Sequence, residues 1–76
     1  MKEATLKALI GGGAVEGTRF RRDGDTGAWV LWVRYGGHEE ALENDRGAPR
    51  RFKRETTAVA YLMDQGLPTA VFDLTS

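Results

Sequence analysis

The stretch Ala28–Tyr35, reading Ala-Trp-Val-Leu-Trp-Val-Arg-Tyr, constrains the fold more than any other part of the chain. Its β-branched and aromatic residues lie between Gly27 and Gly36, the composition of a strand between turns. Side chains alternate across a strand. Trp29, Leu31, Val33 and Tyr35 therefore share one face, and Ala28, Val30, Trp32 and Arg34 share the other. The first set is a core face. The second is mostly apolar too, so it calls for a cover: a helix, a second copy of the chain, or a ligand.

The rest of the chain limits what that cover can be. Seventy-six residues make one domain, 1–76. A chain this short buries only about 60% of the surface its unfolded form exposes, which favours self-association. Cysteine is absent, and with it disulfides, thiolate chemistry and zinc–sulfur sites. The opening residues Met1–Leu6 lack the apolar run of a signal peptide, and no stretch is long enough to span a bilayer. A cytoplasmic protein with no membrane partner is expected. The formal net charge is zero, so nothing draws the whole molecule toward nucleic acid. The charges are nevertheless segregated. Glu39, Glu40, Glu43 and Asp45 are followed by Arg46, Arg50, Arg51, Lys53 and Arg54, an acidic patch beside a basic one.

Taken in order, Lys2–Ile10 predicts a helix with Leu6, Leu9 and Ile10 on one stripe, ended by Gly11-Gly12-Gly13. Those glycines precede a strand instead of following one and lack the Gly-Lys-Ser/Thr step, so they are not a phosphate loop. Ala14–Arg22 predicts a strand. Val15 and Phe20 have opposite parity, which a bulge at Gly17 reconciles. Asp23-Gly-Asp-Thr-Gly27 predicts a hairpin turn. It resembles the start of a calcium loop, but Arg34 stands where the bidentate glutamate belongs. Gly36-Gly37 predicts a second turn, and His38–Glu43 an edge strand kept from further pairing by its acids. Asn44–Pro49 predicts a loop and Arg50–Lys53 a short extension with Phe52 inward. Thr56 is the expected N-cap of a helix over Thr57–Gln65, with Ala58, Val59, Leu62 and Met63 buried and Gly66 then Pro68 as stop. Thr69–Leu74 predicts a last strand. The order is helix, three-stranded antiparallel meander, helix, strand: a two-layer α+β fold with both helices on the Trp29 face.

Catalytic chemistry is thin. The only serine is Ser76 and the only histidine is His38, beside a glycine turn. A carboxylate pair needs a pocket. No catalytic residue, metal, cofactor or small-molecule substrate is expected. Arg50, Arg51, Lys53 and Arg54 precede a helix N-terminus, where cationic side chains and free N–H groups attract phosphate, and Arg19, Arg21, Arg22 and Arg34 lie on neighbouring strands. The cluster is either a solvated rim neutralised by the acidic edge or a contact surface for DNA or an acidic partner. Trp32 is either core, a protein interface, or a base-stacking group.

Leu6–Val15, Gly27–Tyr35, Pro49–Leu67 and Val71–Leu74 together resemble the small ParC-like plasmid-partition accessory proteins, over most of the chain and in order. That resemblance implies a bacterial mobile-element protein with no catalytic residues to carry over. At Thr56 the family more often has aspartate. Trp32–Leu62, with its Phe52-Lys53 step and Ala58 and Leu62, is similar to the arm-binding domains of tyrosine-type phage integrases, whose sheet enters the DNA groove. The acids Glu39, Glu40 and Glu43 depart from that pattern. Two expectations follow. The first is a non-enzymatic accessory module, partition-related, that forms a homodimer or other homo-oligomer, or binds a partition-system protein, through Val30 and Trp32. The second is duplex DNA binding through Arg50, Arg51, Lys53 and Arg54, with Arg34.

Overall fold

A computed structural model describes residues 1–74 of the chain. Seven elements follow one another: α1 (Glu3–Gly11), β1 (Gly17–Arg22), β2 (Trp29–Tyr35), β3 (His38–Ala41), β4 (Arg51–Phe52), α2 (Glu55–Asp64) and β5 (Phe72–Asp73). The fold is α+β in two layers. Ser76 lies outside the described residues.

β2 is the centre of the sheet. β1 pairs with it antiparallel along one side. On the other side two strands share its length: β3 pairs with the C-terminal half and β4 with the N-terminal half. Between them the chain turns outward at Asn44–Ala48 and closes on itself through a Glu43–Pro49 bridge. β5 adds to the free edge of β1 in parallel, Phe20 opposite Phe72. The expected meander is present, but the sheet around it is mixed and five-stranded. β4 is the short extension expected over Arg50–Lys53, with Phe52 buried as expected; its pairing with β2 is what the alternation does not give.

The core lies where the alternation of β2 places it. Trp29, Leu31 and Val33 are at most 1% exposed and pack with Phe20, Leu42 and Phe52, closed over by Leu6 from α1 and Ala58, Tyr61 and Leu62 from α2. Phe72 stacks on Phe20 with centroids 4.9 Å apart and meets Trp29 edge-on at the same distance, which fixes β5 to the sheet. Both helices therefore cover one face. The bulge at Gly17 is formed: the Glu16 N–H donates to the Arg34 carbonyl oxygen at 2.8 Å while Gly17 also stands opposite Arg34. Val15 is thereby brought onto the core side.

Two turns need glycine. Gly36 and Gly37 both take positive φ, 58° and 79°, the two-residue hairpin geometry that matches the twist of β2 and β3. Gly66, at φ 80°, closes α2. Its N–H donates to the Met63 carbonyl oxygen at 2.9 Å and the Leu67 N–H to that of Leu62 at 3.0 Å, the paired bonds of a Schellman stop. Leu67 then packs on the core.

Two helical expectations are corrected. The N-cap of α2 is Arg54, with no side-chain cap hydrogen bond, and not Thr56. Glu55 places its carboxylate in the first turn of α2. Its own backbone N–H first, and then the Trp29 indole, hold its pKa below the usual carboxylate range. Met63 is 69% exposed. Tyr61, three residues after Ala58, takes the buried place that Met63, five after, cannot reach on a helix of 3.6 residues per turn.

Candidate nucleic-acid interface

The face of the sheet away from the helices is open. Register places Arg19 and Arg21 of β1, Val30, Trp32 and Arg34 of β2, Glu39 and Ala41 of β3, Arg51 of β4 and Asp73 of β5 on it. Trp32, the centre of this set, is half-buried and belongs to no part of the core. What covers it is charge. The Arg21 guanidinium lies 4.9 Å from the ring centroid of Trp32, a cation–π contact.

Glu39 organises the arginines. Its Oε2 accepts from Arg19 Nε at 2.9 Å, and its Oε1 accepts from Arg19 Nη2 at 2.8 Å and Arg21 Nη2 at 2.9 Å. The Arg19 bonds hold the Glu39 carboxyl below its ordinary range and push the Arg19 guanidinium up. Arg34 is exposed. It adds to the field that lowers Glu39, and its guanidinium makes no hydrogen bond among the described residues. Asp73 stands opposite Arg21 in the β1–β5 register and contributes to the raised pKa of Arg19.

β3 is the edge strand that its sequence predicts, but its acids do not line the open face together. Only Glu39 reaches the open face. Glu40 lies on the helix side, where its Oε1 accepts from the Tyr35 hydroxyl at 2.5 Å and lies 3.1 Å from His38 Nε2. Glu43 Oε1 lies 3.2 Å from the Met1 amino group.

The basic run Arg50–Arg54 is divided by strand alternation. Arg50 turns to the helix side. Its Nη1 donates to Glu3 Oε2 at 3.1 Å, and its guanidinium lies 4.5 Å over the ring of Tyr61 and 5.4 Å over that of Phe52. Tyr61 donates to the same Glu3 oxygen at 2.7 Å. Arg50 therefore ties α1 to α2. Arg51 turns to the open face, where its Nε donates to Asp23 Oδ2 at 2.5 Å. Lys53 and Arg54 are exposed at the start of α2. Lys53 and Arg51 flank a shallow recess of about 360 Å³ against the β1–β2 turn, Thr26–Ala28. The four residues do not form one patch; Arg51 and Lys53 extend the open face and Arg50 does not.

Val30, expected at an interface, is buried within the single chain. It is 6% exposed, with Arg21 and Arg51 on either side of it in the ladder. Long arginine stems cover neighbouring apolar surface while their heads stay in water. Asp23 behaves as a turn clamp: it accepts from the Thr26 hydroxyl at 2.8 Å and from Arg51, and these bonds, Arg51 first, keep its pKa low. Sequence reasoning missed Arg19 and Arg21 as the centre of the site. The signal was their spacing, two apart on a strand, directly opposite Val30 and Trp32.

Comparison with protein-family models, curated proteins and solved structures finds no match to the chain. No helix among the described residues is long and apolar enough to cross a membrane.

Proposed function

We propose that this protein is a binding module for duplex DNA and that the open sheet face is its contact surface. One observation carries this reading. Arg19, Arg21 and Arg34 surround the one accessible indole of the face, and the single glutamate there is already neutralised by two of them. From Arg34 to Val30, where Arg51 joins, is four residues of strand, about 13 Å. That matches the major-groove width of about 12 Å. Small sheets laid in a groove are a known way to engage DNA. Charge supports the reading with restraint: Asp23, Glu39 and Asp73 offset part of the positive charge, so binding is moderate and salt-sensitive. An accessory role in a bacterial mobile element, partition included, fits such a module.

Self-association through the same face is less well supported, because burial of Val30 and the arginine over Trp32 leave little bare apolar surface there. The test is affinity for a random-sequence duplex at several salt concentrations. About three to four phosphates neutralised gives a log–log slope near −3. Replacing Arg21, Trp32 and Arg34 together with alanine abolishes this binding. Unchanged affinity and slope in that variant overturn the proposal.

A further inference from the structure

We infer that Arg19 reads guanine in the major groove and that Glu39 is the residue that positions it; this rests on the duplex-binding reading above. A guanidinium has five N–H donors in a fixed plane. Arg19 gives two of them, on Nε and Nη2, to the two oxygens of Glu39 at 2.9 and 2.8 Å. Those are the donors along one side of the fork. The other fork, formed by Nη1 and the second N–H of Nη2, is not used by Glu39. It has the geometry that pairs with guanine O6 and N7.

The exposures agree with a support below and a reader above. The Glu39 side chain retains 20% of its surface and the Arg19 side chain 36%. Arg19 also stands opposite Trp32, at the middle of the face, where a base edge would meet it. The neighbouring cations are held differently. Arg21 is fixed by one bond to Glu39 and by the Trp32 ring, and Arg34 stands exposed at the rim. Those two suit phosphate, which needs charge more than orientation. The acids facing Arg19 are Glu39 and Asp73. Asp73 would have to yield part of its hold as the base arrives.

The experiment enriches a pool of random duplexes on the wild-type protein. It then measures the enriched duplex, single G·C to A·T changes in it, and a random duplex, against wild type, Arg19→Lys and Glu39→Gln. Far-ultraviolet circular dichroism and melting confirm that each variant is folded. Wild type should show one G·C position where A·T costs about 10-fold or more, the value of a bidentate pair. Arg19→Lys keeps the charge and loses the fork, so that discrimination should fall to about 2-fold while random-duplex affinity stays within about 2-fold. Glu39→Gln should lose most of the discrimination with Arg19 still present, because the fork is no longer held. Discrimination that survives Arg19→Lys, or random-duplex binding with no sequence enriched, overturns the inference and leaves duplex binding standing. Absence of any duplex binding by wild type overturns both.

Discussion

Arg21 lies 4.9 Å over the ring of Trp32, so the indole that β2 turns away from its own core is capped by a cation and not by a helix. Its neighbour Leu31, one residue earlier, is fully buried on the opposite face. The two positions separate folding from binding. Leu31→Ala should cost about 2–5 kcal/mol of stability, as large-to-small core changes do. Trp32→Ala should cost well under that and instead weaken duplex binding several-fold. Denaturant unfolding and a binding titration on both variants check this. Equal destabilisation by the two would place Trp32 in the core.

Arg50 belongs to the fold and not to the proposed contact surface. It joins Glu3 of α1 to the Tyr61 and Phe52 rings. Arg50→Ala should lower the melting temperature by a few degrees and leave duplex affinity within about 2-fold. Arg51→Ala, which frees Asp23 on the open face, should weaken duplex binding more than Arg50→Ala does. Thermal melts and titrations of both variants decide the order.

Acid should destabilise the protein. Glu3, Asp23, Glu39, Glu40 and Glu55 all have pKa values below their ordinary range, held there first by Tyr61, Arg51, Arg19, Tyr35 and the Glu55 backbone N–H respectively. A carboxyl whose folded pKa is depressed adds stability that is complete above its unfolded pKa. That stability is lost as pH falls through the folded value. Stability should therefore be level from neutral pH down to about pH 5 and then fall through the carboxylate range near 4. Glu39→Gln should flatten part of that fall. A stability that rises on acidification would contradict the ion-pair account.

Gly66 is needed for its backbone. At φ 80° a side chain is strained whatever the space around it, so Gly66→Ala should cost about 1 kcal/mol. Gly11 lies within α1 and meets nothing at the added Cβ. Gly11→Ala should be neutral or slightly stabilising. Melting curves of the pair test the Schellman stop directly.

Most of the fold is legible because it depends on local alternation and turn chemistry. The faces of β2, the Gly17 bulge, the Gly36-Gly37 hairpin and the Gly66 stop all follow from neighbours in sequence. Two kinds of information do not. β4 and β5 are two residues each, so their pairing with β2 and β1 comes from tertiary contacts such as Phe72 on Phe20 and not from a pattern. The grouping of charges around the candidate site is hidden for a related reason. Arg50, Arg51, Lys53 and Arg54 cluster in sequence, but a strand sends neighbours to opposite faces, and Arg50 and Arg51 part company there. Arg19 and Arg21 stand 20 and 18 residues from Glu39 in sequence, and only the β1–β2–β3 register brings the three together.

The two indoles give the most direct test of the central claim, since each reports on one face of the sheet. Trp32 sits on the open face under Arg21, and Trp29 is 1% exposed on the helix side with its N–H on Glu55. In a nitrogen-15 correlation spectrum titrated with duplex DNA, the Trp32 indole N–H and the Nε–H signals of Arg19, Arg21 and Arg34 should shift together, saturably, and return with added salt. The Trp29 indole should stay in place. A titration in which Trp29 moves and Trp32 does not, or in which neither indole responds, contradicts duplex binding by the open face.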